Sequence, residues 1–241
     1  MQLEAKNITF SYNKKKKILD NVSLNIAAGE RVALVGPSGC GKSTLSKILA
    51  GYEKADSGMV LFEGKPLPEK GYCPVQMIYQ HPEKAINPRW KLGRTLTEAW
   101  NPDEKFLREM GIEIEWLNRY PVELSGGEMQ RFCIARAMGP ETKFVIADEM
   151  STMLDVITQA QIWELMLRIV EKRKMGMLDI LVEGVERRHD ATVGLDALNI
   201  GTHGTAQLAA LRLCHLVVLR LPERQQQGLD AVLLLHVEDV M

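Results

Sequence analysis

The chain has 241 residues and a formal net charge of −1 at pH 7, which suits one large domain or two small ones and argues against a nucleic-acid-binding surface. No apolar run reaches the roughly 18 residues of a membrane span and the N-terminus lacks an apolar signal core, so a soluble, cytosolic chain is expected, with any membrane role arriving through a partner. Four scattered cysteines, Cys40, Cys73, Cys133 and Cys214, form no CxxC pair, which speaks against a zinc site or a disulfide framework.

Taken in chain order, residues 3–10 and 22–26 read as strands joined through Lys14, Lys15, Lys16 and Lys17, a run better explained as a solvated hairpin loop than as a binding patch. Residues 31–35 form a short apolar run ending in glycine, the pattern of a buried parallel strand, and 42–50 read as the helix that follows. Further strands are expected at 59–62 and 75–79. From about 82 to 138 the pattern turns helical, with helices expected at 93–100, 104–110 and 128–138. A second buried strand at 143–147 precedes a long amphipathic helix at 157–174 and a strand at 177–182.

Composition changes near Met177. All of the lysines and every Phe, Tyr and Trp lie before it, whereas four of the five histidines lie after it.

Three segments carry chemistry. Gly36, Pro37, Ser38, Gly39, Cys40, Gly41, Lys42 and Ser43, followed by Thr44, match the spacing G-x4-G-K-[ST] between a strand and a helix, the context that marks a phosphate-binding loop. Successive amides there can cradle phosphates at a helix N-terminus, Lys42 can neutralise their charge, and Ser43 can ligate Mg²⁺. A plain glycine-rich turn is the alternative. Asp148 and Glu149 end the buried strand at 143–147, where Asp148 can reach the metal and Glu149 can act as general base toward water. Leu124, Ser125, Gly126, Gly127 and Glu128 form an LSGGE segment opening a helix, where a hydroxyl and glycine amides can hold a phosphate.

In these motifs residues 1–176 resemble the nucleotide-binding subunit of the ATP-binding cassette (ABC) transporters. The resemblance implies an α/β fold: a P-loop NTPase cassette with an N-terminal antiparallel sheet and a helical signature subdomain. The expected division is an α/β core at 1–81 and 139–182, the helical subdomain at 82–138, and an atypical C-terminal segment at 183–241. It further implies that Tyr12 stacks on adenine, although a Tyr ending a strand often merely packs. Gln80 is implied to contact Mg²⁺ and the attacking water, and Asp155 belongs to a D-loop crossing a dimer interface. Ser125, Gly126, Gly127 and Glu128 would then serve ATP held by a second subunit. Met150 stands where the family commonly has proline.

Gln80-His81-Pro82, running on to Ile86-Asn87-Pro88-Arg89, resembles the Q-D-P-x-x-x-L-N-P-R segment of peptide and nickel importers, with His81 for Asp and Ile86 for Leu. Arg119-Tyr120-Pro121 before Glu123-Leu124 resembles the same group. That implies an ATPase at the cytoplasmic face of the membrane, with a second ATPase subunit, two transmembrane permease subunits and an external substrate-binding protein. Family members carry a histidine directly after the strand that follows the long helix; here Glu183-Gly184 follow. His203, in Thr202-His203 after an expected strand at 192–200, is a displaced candidate, with a helix at 206–213 and an apolar run at 215–221 behind it. His189 reads as a loop residue, and 231–237 as an unplaced strand. The other reading is a replaced or out-of-frame C-terminus, for which hydrolysis is impaired while ATP binding survives.

Overall fold

The computed structural model describes residues 2–13, 16–182, 208–211 and 216–221. The chain starts with two alternating strands, β1 (Gln2–Phe10) and β2 (Leu19–Ala27), paired antiparallel with Leu3, Ile8, Leu19 and Ile26 turned inward. β4 (Ser57–Phe62) lies antiparallel on the other side of β1, and the two-residue β5 (Lys65–Pro66) closes a four-stranded antiparallel sheet in the order β2-β1-β4-β5.

The second sheet is built from strands that are apolar on both faces. β3 (Arg31–Gly36), β6 (Val75–Ile78), β7 (Phe144–Asp148) and β8 (Gly176–Val182) run parallel in the order β6-β7-β8-β3. Every residue of β7 is buried, as a parallel strand covered on both sides requires. One face packs with Leu45, Ile48 and Leu49 of α1 (Lys42–Leu49) and the inner face of the antiparallel sheet. The other packs with α5 (Gly126–Ala137) and α6 (Val156–Arg173) through Phe132, Ile134, Ile162, Met166 and Val170. Between them lie α2 (Pro82–Ala85), α3 (Leu92–Thr97) and α4 (Glu104–Glu109), whose Leu92, Leu96 and Phe106 join this second core.

The expected elements up to residue 182 are found, with ends moved by no more than three residues. Beyond them the helix expected at 206–213 is corrected: β9 (Leu208–Leu211) is a strand, antiparallel to β10 (Leu216–Leu221), which is itself antiparallel to β3. Helix-favouring Ala and Leu yield here because β9 pairs its backbone donors and acceptors with β10, which itself covers the edge of β3. His189, His203, Glu183-Gly184 and the segments 192–200 and 231–237 lie outside the described residues.

Candidate functional site

Because β6, β7, β8 and β3 are parallel, the segments leaving their C-terminal ends meet along one edge, where open α/β sheets bind ligands. β3 runs out at Gly36 into the glycine-rich loop, and Gly41 caps α1 with φ 104°. A Cβ on Gly41 would stand 3.1 Å from side-chain carbons of both Ile18 and Leu19, so backbone conformation and space both demand glycine there. No side chain caps the α1 N-terminus, which leaves its amides pointing into the loop. Lys42, only 4% exposed, turns its Nζ onto two loop carbonyls, Gly36 O at 2.6 Å and Pro37 O at 2.9 Å, and passes 4.0 Å from Cys40 Sγ. Ser38 and Gly39 at the loop tip are exposed.

Ser43 links this loop to the acidic strand end: its Oγ donates to Asp148 Oδ1 at 3.0 Å, across the intervening β8. Burial pushes the Asp148 carboxyl above its ordinary range, opposed by the Ser43 bond and by Lys47 and Lys42. Glu149 has its backbone in the left-handed region at φ 50°. Burial and the neighbouring charge of Asp148 raise its carboxyl, while Lys42 draws it down. Gln80, just past β6, donates through Nε2 to Glu149 Oε2 at 3.1 Å and to Thr152 Oγ1 at 2.9 Å. Thr152 in turn donates to the Glu149 carbonyl at 3.1 Å. Tyr12 approaches from β1, its hydroxyl 3.3 Å from Thr44 Oγ1 and its ring edge-on to Phe10, with half of its surface exposed.

One edge therefore gathers Tyr12, Gly36 through Thr44, Gln80, Asp148 and Glu149. The LSGGE residues are held elsewhere, at the N-terminus of α5. Ser125 Oγ accepts from Glu128 N at 3.3 Å, and Glu128 Oε2 accepts from Ser125 N at 2.7 Å, a reciprocal capping box. Their neighbours are Leu154 and Thr158, not the glycine-rich loop. Asp155 caps α6, accepting from Thr158 N and Oγ1. Ser151 is fixed by the indole of Trp163, whose Nε1 donates to its Oγ at 3.0 Å.

Sequence reasoning passed over Thr152, which binds Gln80, and Asp179, whose place beside the site only the sheet register reveals. Asp179 is 1% exposed in mid-β8, paired in register with Ala33 and Ala147, and neither of its oxygens finds a donor among the described residues. An acid inside the apolar run at 177–182 was the available signal.

Ser43 and Asp148 offer hydroxyl and carboxylate oxygens 3.0 Å apart, the donor chemistry of a hard divalent cation. Among the described residues no three His, Cys, Asp or Glu side chains gather as a metal site of their own, so such a cation would need phosphate oxygens as well.

Residues 19–152 match the sequence model of the ABC transporter family. The chain is 36% identical over 202 residues to the oligopeptide transport ATP-binding protein OppF of Streptococcus mutans, covering 74% of this chain and 66% of that protein. It is 35% identical over 188 residues to the nickel import ATP-binding protein NikE of Rhodospirillum rubrum, covering 69% and 66%. It thus spans just under two thirds of the length of these relatives. The structure resembles the dimeric bacterial ABC transporter cassette MJ0796, with TM-score 0.61 and 25% identity over 74% of this chain and 87% of that one. Matched in sequence over more than half its length, and carrying the glycine-rich loop, acidic strand end and capped LSGGE turn in one fold, this chain belongs to the ABC transporter family.

Proposed function

We propose that this chain is the ATP-binding and hydrolysing subunit of an importer of the peptide or nickel type. It works at the cytoplasmic face of a membrane with a second cassette, two permease subunits and an external binding protein. Among the described residues no helix is long and apolar enough to cross a membrane, so in this reading the crossing belongs to the partners. The observation that carries the reading is the geometric split of the motifs. The glycine-rich loop, Asp148, Glu149 and Gln80 share one hydrogen-bonded edge, while Ser125–Gly127 is presented on a separate helix. Such a split suits a nucleotide held between two subunits, and the related cassette MJ0796 is dimeric.

In this reading the α1 N-terminus and Lys42 bind the β- and γ-phosphates. Ser43 and Asp148, with Gln80, would hold Mg²⁺, which supplies charge neutralisation at the phosphates. Glu149 accepts the proton of the attacking water, and Gln80 fixes its carboxylate through the 3.1 Å bond. Tyr12 offers its exposed ring to adenine. Ser125 and the amides of Gly126 and Gly127, with Glu128 holding the cap, receive the partner's γ-phosphate. Asp155 holds the D-loop at the interface. Closure around ATP and release after hydrolysis make a two-state switch passed to the permeases. The division into a core (1–81 and 139–182), a helical subdomain (82–138) and an atypical tail (183–241) is part of the same reading.

A second reading is a hydrolysis-impaired or regulatory nucleotide-binding partner in such a transporter. It is favoured by the register of β8: Val182 pairs with Gly36, and Glu183 follows where the family resemblance implies histidine. Nucleotide-binding and turnover assays on the purified chain separate the two. The first reading expects MgATP binding and turnover, with Glu149→Gln keeping binding and losing turnover by about 10²–10⁴-fold. Binding without turnover in the wild-type chain selects the second. Turnover abolished by His203→Ala would make His203 the displaced switch histidine and remove the ground for the second. Absence of nucleotide binding defeats both.

A further inference from the structure

Gly127 of the LSGGE turn stands against a neighbour in its own chain. A Cβ built on it would lie 2.6 Å from Cγ2 of Thr158, in the first turn of α6. That methyl has little freedom to turn away. Thr158 N donates to Asp155 Oδ1 at 3.0 Å and Thr158 Oγ1 donates to Asp155 Oδ2 at 2.6 Å, so one carboxylate fixes both the backbone and the side-chain rotamer. The same bonds hold the Asp155 carboxyl below its ordinary range. Gly126 is seated alongside: a Cβ there would meet Leu154 Cδ2 at 3.4 Å, and the Leu154 carbonyl is itself tied to Gln159 Nε2 at 2.9 Å. Deeper along the two helices, Arg131 of α5 donates to Gln161 of α6 at 3.3 Å.

We propose that Thr158 is a positioning residue that seats the Ser125–Gly127 turn on the D-loop of the same chain, so that the turn and the Glu149 end of β7 move together. The proposal rests on the composite-site reading above, in which Ser125–Gly127 serves the partner's nucleotide and Glu149 serves this chain's own. The physical route is short. Gly127 abuts Thr158, Thr158 is bonded to Asp155, and the D-loop runs back through Leu154 and Thr152 to Glu149. Thr152 accepts from Gln80 and donates to the Glu149 carbonyl. A phosphate arriving at one site therefore pushes on the segment that carries the base of the other. Gly127 is required here because of the Thr158 methyl, a different constraint from the approach of phosphate to its amide.

The two constraints separate in a rescue experiment. The full-length chain carrying Glu149→Gln, so that bound ATP persists, is followed by sedimentation with MgATP. Gly127→Ala is expected to weaken ATP-dependent association by about tenfold. Adding Thr158→Ser, which keeps the hydroxyl and removes the methyl, is expected to restore association to within about threefold of the parent. Thr158→Val, which keeps the shape and loses the hydroxyl bond to Asp155 Oδ2, is expected to weaken association while leaving nucleotide binding by the unassociated chain, read with a fluorescent ATP analogue, unchanged. If the Gly127→Ala chain fails to fold, the Thr158→Val measurement decides alone. A double variant as impaired as Gly127→Ala, or a Thr158→Val chain that associates normally, overturns the proposal. Nucleotide binding with no association in the Glu149→Gln parent overturns the composite-site reading and this proposal with it.

Discussion

In its proposed role as general base Glu149 works only when ionised, and its surroundings set when that is. Burial and Asp148 both favour its protonated form, so the ionised base appears at higher pH than an ordinary glutamate allows. In a pH profile of kcat the acid limb should accordingly lie above that of an unperturbed glutamate, and Asp148→Asn should move it down while weakening metal-supported binding. Asp179 gives a clearer stability signature. Burial pushes its carboxyl up to about 8, with the charges of Asp148 and Glu149 adding to the effect. Unfolding returns it to about 3.9, so the folded chain binds the extra proton and loses stability as pH rises between those two values. The melting temperature should fall from pH 5 to pH 8.5, and Asp179→Asn should flatten that fall, recovering on the order of a few kcal/mol at the alkaline end. A profile unchanged by the substitution would show that the carboxyl is satisfied in solution.

At the scale of elements, the D-loop between β7 and α6 depends on buried anchors. Ser151 is 8% exposed and takes its hydrogen bond from the Trp163 indole; Trp163→Phe leaves that hydroxyl unpaired and should cost about 1–3 kcal/mol in a denaturant titration. How far such elements could be read in advance differs by kind. β3, the glycine-rich loop and α1 were legible because the loop chemistry needs fixed residue types at fixed spacing, and β7 because its apolar run has strand length and its two acids, common at strand ends by themselves, gain meaning beside that loop. The strand at 208–211 carries helix propensity in its Ala and Leu residues, and its pairing with β10, itself held on β3, overrides that propensity. β5 is two residues long, below what any periodicity can signal. The bonds from Gln80 to Glu149 and Thr152 join residues some seventy positions apart, and only the order β6-β7 brings them together.

For the whole molecule, the proposed composite-site reading takes the separation of Ser125 from Lys42 to mean that each site is the property of a pair. Mixing a chain inactivated by Lys42→Ala with one inactivated by Ser125→Arg should restore ATP-dependent association that neither shows alone, because one of the two shared sites is then intact on both sides. Failure of the mixture to associate would mean that each chain closes on its own nucleotide. The order β7-β8-β3 has a consequence of its own. The strands bearing Asp148 and the glycine-rich loop share no ladder, so β8 between them helps to set the 3.0 Å gap between Ser43 and Asp148. That gap behaves like the scale of a vernier. A small slip or loosening of the middle strand, too slight to change helix or sheet content, would displace the two oxygens by ångströms. Magnesium-supported nucleotide binding should then be lost at lower urea than far-ultraviolet circular dichroism, which makes the metal the finer gauge of whether the sheet is properly assembled.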